Sequence, residues 1–190
     1  MKQEIRRIVG LAVLVITFPC VLHVYAGDSA KGYYSQVGKF SIPFGRKYDY
    51  NSVLVKRVID GDTLLLETGE RVRLIGIDTP EMHDSDKLYR DSRRMKQDVH
   101  LIKQLGYRAY EFTRRLAQGQ LVRLEFDTEK HDKYNRLLAY VYLKDGSMLN
   151  ARIIEEGYAS LMTIPPNIKY ADLFFKLYHE ARESRRGLWR

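Results

Sequence analysis

Four acids and an arginine stand at the ends of two short apolar runs, in "DGDT" (Asp60 to Thr63) and "RLIGIDTPE" (Arg73 to Glu81). Hard cations such as Ca2+ take several oxygen ligands, and two carboxylates, Asp62 and Asp78, make a useful start. "DGDT" is not the start of an EF-hand, because Leu64 occupies the place where such a loop needs Asp or Asn. Hydrolysis of a phosphodiester needs an activated water, a base, and positive charge on the phosphoryl oxygens. Glu81 follows Asp78 by three residues, after Pro80 has stiffened the turn, and can reach a water on a bound cation. Arg73, and Arg136 in "HDKYNR", carry planar guanidinium forks suited to phosphate. Taken singly, each acid is an ordinary turn residue. It is their combination that points to a metal beside a phosphate.

The elements that must position these groups are strands. "SVLVKRVI", "TLLLE" and "RVRLIGI" are three strand segments joined by tight turns, a meander. The antiparallel second and third strands bring Asp62 and Asp78 to one rim. Arg73 and Asp78 are five residues apart, an odd spacing that on a regular strand sends them to opposite faces. Gly76 between them allows a bulge that realigns them.

A long charged stretch comes next, and then a helix over "GYRAYEFTRRLAQ". "LVRLEF" and "LLAYVYL" are the fourth and fifth strands, separated by the polar loop "DTEKHDKYNR". A helix over "SMLNARIIEEG" is capped by Ser147, "YASLM" is a short extended piece, and the last helix carries Leu173, Leu177 and Ala181 on one face. Tyr140 and Tyr142 read as packing residues, and Trp189 as a cover for the last helix. The fold class is α+β, mostly β: an OB-fold five-stranded β-barrel with about three helices.

The 190 residues suffice for one domain with its own core, and 45% hydrophobic with 29% charged residues excludes a disordered chain. The net charge of +8 favours an anionic partner. Residues 1–26 read as a signal peptide cleaved after Ala26, the alternative being an N-terminal anchor over residues 8–25 that attaches the chain to a membrane. Residues 27–50 show no period and read as a leader, with the folded domain from 51 to 190. The single cysteine, Cys20, lies in the apolar run, so the folded domain relies on its core and not on a disulfide. In the long loop, His83, Asp84 and His100 have no spacing that defines a second metal site.

"VIDGDTLLL", "RLIGIDTPE" and "DKYNRLLAYVYL", in this order, resemble the thermonuclease family typified by staphylococcal nuclease, from about Ser52 to Trp189. The resemblance implies a Ca2+-dependent, sugar-nonspecific nuclease that cleaves DNA and RNA to 3′-phosphate ends. It implies Asp62 and Asp78 as calcium carboxylates and Thr79 as a carbonyl ligand. Glu81 is then the general base, Arg73 and Arg136 hold the scissile phosphate, and Lys133 and Tyr134 contact a terminal phosphate. A secreted or periplasmic monomer with no obligate protein partner is expected. The other reading is an OB-fold module that binds nucleic acid without cutting it. Two departures stand out. Thr163 and Pro165 lie where the family type has tyrosines, and the loop after Glu81 is longer by about a dozen residues.

Overall fold

The computed structural model describes residues 34–37, 40–43, 48–95 and 98–190. The signal-peptide or anchor segment lies outside them. The chain divides into two compact units, residues 1–46 and 47–190. In the first, β1 (Tyr34–Val37) pairs antiparallel with β2 (Phe40–Pro43), Val37 facing Phe40. This pairing lies within residues 27–50, the stretch read as a leader. No helix among the described residues is long and apolar enough to cross a membrane.

The second unit is built on a closed barrel of five strands: β3 (Val53–Asp60), β4 (Thr63–Leu66), β5 (Arg71–Leu74), β7 (Leu121–Glu125) and β8 (Leu137–Tyr142), in the order β3-β4-β5-β8-β7. β5 and β8 are parallel and the other pairs antiparallel. This is the expected five-stranded OB-type barrel. Inward residues alternate with outward ones along the strands, so Val55, Leu64, Leu66, Val72, Leu74 and Val141 fill the interior.

The third strand expected from the sequence divides in two. β5 stops at Leu74, and β6 (Gly76–Asp78) leaves the barrel to pair with β9 (Ser160–Met162). Gly76 makes the break at φ +82°, in the left-handed region open to glycine. A Cβ there would also lie 2.6 Å from the Phe174 ring. Buried Asn150 holds the kink: its side-chain N–H donates to the Ile75 carbonyl (2.9 Å) and its Oδ1 accepts from the Val141 N–H (3.0 Å). Backbone groups that lose their ladder partners at a strand break need such substitutes.

Among the described residues four α-helices accompany the barrel, one more than expected: α1 (Asp86–Met95), α2 (Val99–Ala117), α3 (Leu149–Glu155) and α4 (Ala171–Glu183), with a final 3-10 turn, Gly187–Trp189. The extra one, α1, lies in the long stretch after Glu81. α2 starts earlier than its apolar spacing suggested, because the Asp98 carboxylate accepts from the N–H groups of His100 (2.7 Å) and Leu101 (3.4 Å). Ser147 does not cap α3. The cap position is Met148, and the Ser147 hydroxyl donates to Asp145 at 2.6 Å in the preceding turn. α4 is rotated from the expected face: Phe174 and Ala181 are buried, while Leu173 is 42% exposed. The flat surface of Gly76 admits the Phe174 ring and so sets that rotation. Trp189 packs edge-on against Tyr178, as a cover of the last helix should.

Candidate active site

Arg73 sits at the end of β5, opposite Thr63 of β4, so its side chain emerges beside the β3–β4 turn that carries Asp62. Its guanidinium pairs with Asp62 Oδ2 at 2.7 Å through one nitrogen and with Asp78 Oδ1 at 3.0 Å through another. The kink at Gly76 makes this possible, as the odd spacing required. Asp62 is nearly buried and accepts more: the backbone N–H of Thr79 (2.9 Å) and its hydroxyl (3.1 Å) both reach Oδ2, and the Thr63 hydroxyl reaches Oδ1 at 3.1 Å. Asp62 thus ties the first turn to the strand end that carries Asp78 and Thr79.

A third carboxylate belongs to the group. Asp60 accepts from the Asp62 N–H at 3.1 Å. Its own burial first, then the neighbouring charge of Asp62, push the Asp60 carboxyl up to about 7. Asp62 and Asp78 together carry more negative charge than the one guanidinium between them offsets. Among the described residues no three His, Cys, Asp or Glu side chains converge closely enough to form a metal centre by themselves. The carboxylate oxygens of Asp62 and Asp78 are donors of the hard kind that a cation such as Ca2+ takes, with water in its other positions.

Arg136 stands on the loop that leads into β8, the strand paired with β5. Asp132 accepts the N–H groups of Tyr134 (2.9 Å) and Arg136 (3.0 Å), and pairs with the Arg136 side chain at 2.7 Å. Asn135 between them takes φ +59°. The loop is a tight turn wound on Asp132, and it fixes the guanidinium before any ligand arrives. The Asp132 carboxyl is the site of a contest: burial pushes its pKa up, but the Arg136 and Tyr134 N–H groups and the Arg136 charge pull it below the usual range. Tyr134 is 68% exposed, with Lys133 and Arg136 near its ring face. All eight residues singled out in the sequence line one cleft of about 650 Å³. Arg73 and Arg136 have different carboxylate partners, Asp62 and Asp78 for the first and Asp132 for the second.

The third wall is β9 together with residues 163–167. Met162 Sδ stands 3.7 Å from the Arg73 guanidinium, and Ile164 is 58% exposed over the cleft. Asn167 clamps this segment to the other wall through two hydrogen bonds with the Glu129 backbone (2.8 and 3.0 Å). The surfaces here are aliphatic and thioether, where the family type presents tyrosines.

Residues 71–190, well over half of the chain, match the family model described as staphylococcal nuclease homologue. The thermonuclease of Staphylococcus intermedius is 41% identical over 141 residues, 73% of this chain and 76% of that one. The chain belongs to the staphylococcal nuclease family. An uncharacterized protein of Methanocaldococcus jannaschii is 30% identical over 197 residues, covering 97% of this chain and 94% of that protein. The endonuclease YncB of Bacillus subtilis is 32% identical over 143 residues, 73% of this chain and 61% of that one.

Several residues that hold this nuclease-family cleft in shape carry no sign of it in the sequence. Gly106 of α2 packs flat on the acid loop: a Cβ there would lie 2.6 Å from the Glu81 carbonyl carbon and oxygen. Buried Thr113, two turns along the same helix, donates its hydroxyl to the Gly61 carbonyl at 2.8 Å. Asp132 and Asn150 act on Arg136 and on the kink. None has a telling spacing. The only cue is Gly106 itself, a glycine inside a helical pattern, which asks for a packing reason.

Proposed function

We propose that this chain is a Ca2+-dependent nuclease that hydrolyses phosphodiester bonds of DNA and RNA and leaves 3′-phosphate and 5′-hydroxyl ends. The observation that carries the reading is Arg73, held at once by Asp62 and Asp78 in a cleft that Arg136 also lines. Asp62, Asp78 and the Thr79 carbonyl would hold the cation. When bound, it supplies Lewis-acid charge beside the phosphoryl oxygen and the attacking water.

The other steps belong to side chains of the cleft. Arg73 and Arg136 take the phosphate between them, and their fixed forks stabilise the extra negative charge of the five-coordinate transition state. Glu81, on the same cleft wall, accepts the proton of the attacking water. The new bond joins the water oxygen to phosphorus, the bond to the 5′ oxygen breaks, and that oxygen leaves with a proton from solvent. Lys133 and Tyr134, at the exposed rim, are placed to meet a neighbouring phosphate. The apolar run at residues 8–25 and the small residues before Gly27 support export, with the domain from 51 to 190 acting outside the cytoplasm.

Incubating the full chain with single-stranded DNA and with RNA, in Ca2+, in Mg2+ and in chelator, tests this. Cleavage in Ca2+ with 3′-phosphate ends and none in chelator is the expected result. Binding that weakens steeply with salt, with no cleavage in either metal, would leave a binding module in its place.

A further inference from the structure

The helical pair formed by α1 and the start of α2 fills the long stretch after Glu81, and nothing in the chemistry above uses it. Two large aromatic side chains stand open on it, Tyr89 (48% exposed) and Tyr107 (57%). They belong to one connected face. The Tyr89 hydroxyl donates to Asp84 at 3.1 Å, and the other oxygen of Asp84 takes the Lys103 ammonium at 2.8 Å. Tyr107 follows Lys103 by one helical turn on α2, and Arg93 follows Tyr89 by one turn on α1, so each pair shares a stripe of its own helix. Arg93 is exposed, with its Nε on the Tyr89 carbonyl at 3.2 Å, and Arg108 beside Tyr107 is exposed as well.

Charge and position on this face both indicate its occupant. Two of its acids are already occupied, Asp84 by Lys103 and Tyr89, and Glu111 by Arg114 at 2.9 and 3.0 Å, while Asp86 at the start of α1 is exposed. Arg93 and Arg108 have no ion-pair partner among the described residues, so their charges face outward. The face also adjoins the cleft along the chain: Asp84, which joins Tyr89 to Lys103, follows the cleft residue Glu81 by three residues. Exposed tyrosines interleaved with outward arginines suit a chain of unstacked bases on an anionic backbone.

We propose that the α1–α2 face is an extended binding track for single-stranded nucleic acid leading into the cleft. Tyr89 and Tyr107 stack on bases, and Arg93 and Arg108 follow the phosphates. This rests on the nuclease reading for the cleft, but the face has its own readout. Duplex offers no open bases to the tyrosines and gains less from the face.

The test uses the full chain and two double variants, Tyr89→Ala with Tyr107→Ala, and Arg93→Ala with Arg108→Ala. Arg93→Lys with Arg108→Lys serves as the conservative control. Binding of a labelled single strand of about 20 nucleotides, longer than one site of this kind, is measured in chelator across a salt series. Cleavage of the same strand is compared with that of a dinucleotide in Ca2+. Each alanine pair should weaken binding of the long strand by about tenfold or more. The arginine pair should also flatten the salt slope by about 0.7 for each phosphate it no longer neutralises, and the lysine pair should restore it. The ratio of kcat/KM for long over short substrate should fall with the affinity. Unchanged affinity, salt slope and ratio in both alanine pairs, with melting curves like those of the native chain, would overturn the track and leave the nuclease reading intact. Lost affinity in a chain that cuts neither substrate would keep the track and sink the nuclease reading.

Discussion

At the scale of single residues, the cleft depends on one arginine that does two jobs. Arg73 holds Asp62 and Asp78 with different nitrogens of one plane, which a lysine ammonium cannot reproduce. Arg73→Lys keeps the charge but loses the fork. Its kcat on single-stranded DNA should fall by about two orders of magnitude, the scale of removing one preorganised donor. A variant that keeps kcat within a factor of about two would show that a point charge is enough there. The types of these residues were legible in the sequence because carboxylate and guanidinium chemistry is explicit in the letters. The pairing of Arg73 with Asp78 was legible only conditionally, through Gly76. The partners that orient the site were not legible. Asp132 and Asn150 act through backbone groups that are close only in the folded chain.

At the scale of elements, α2 is the strut behind both acid segments. Gly106 bears on the Glu81 backbone, and Thr113 takes the Gly61 carbonyl of the β3–β4 turn. A glycine inside a helix ordinarily costs about 1 kcal/mol relative to alanine, so Gly106→Ala on a free helix face would stabilise. Here the added methyl meets carbonyl atoms at 2.6 Å, and either α2 or the Glu81 loop must move back. The expected outcome is a lower melting temperature together with a loss of activity larger than the loss of folded protein. A rise in melting temperature with full activity would show that the packing there is slack. The strands and α3 were legible from alternation and turn residues. α1 and the first turns of α2 were not, because a dense run of charge hid buried Leu88 and the Asp98 cap.

At the scale of the whole molecule, a cluster of carboxylates on the barrel's far flank sets the response to acid. Asp127 is pushed up by partial burial, but the Lys169 N–H, the Tyr140 hydroxyl and the Thr128 groups outweigh this and hold it below its ordinary value. Glu125 behaves in the same way, with burial opposed by the Lys169 ammonium at 2.7 Å and the Tyr170 hydroxyl at 2.9 Å. Folded-state values below the unfolded ones mean stability that is fully present above the ordinary carboxylate range. It is lost as pH falls through the lowered values. Urea midpoints should therefore fall below about pH 4, and Asp127→Asn should make that decline shallower. An equally steep decline in Asp127→Asn would assign the acid response to other groups. The barrel's order was legible because each strand has its own alternation and turn. That β6 would leave the barrel for β9 was not, since the break depends on α3 and α4 packing against Gly76 from far along the chain.

Whether this cleft cuts nucleic acid with Glu81 as the base is tested most directly by comparing the native full chain with Glu81→Gln. Cleavage of single-stranded DNA is measured in saturating Ca2+, with strand binding recorded in parallel. A drop in kcat of about two orders of magnitude or more, with strand affinity preserved, is the predicted result. Equal turnover by the two proteins would contradict it and remove Glu81 from the chemistry.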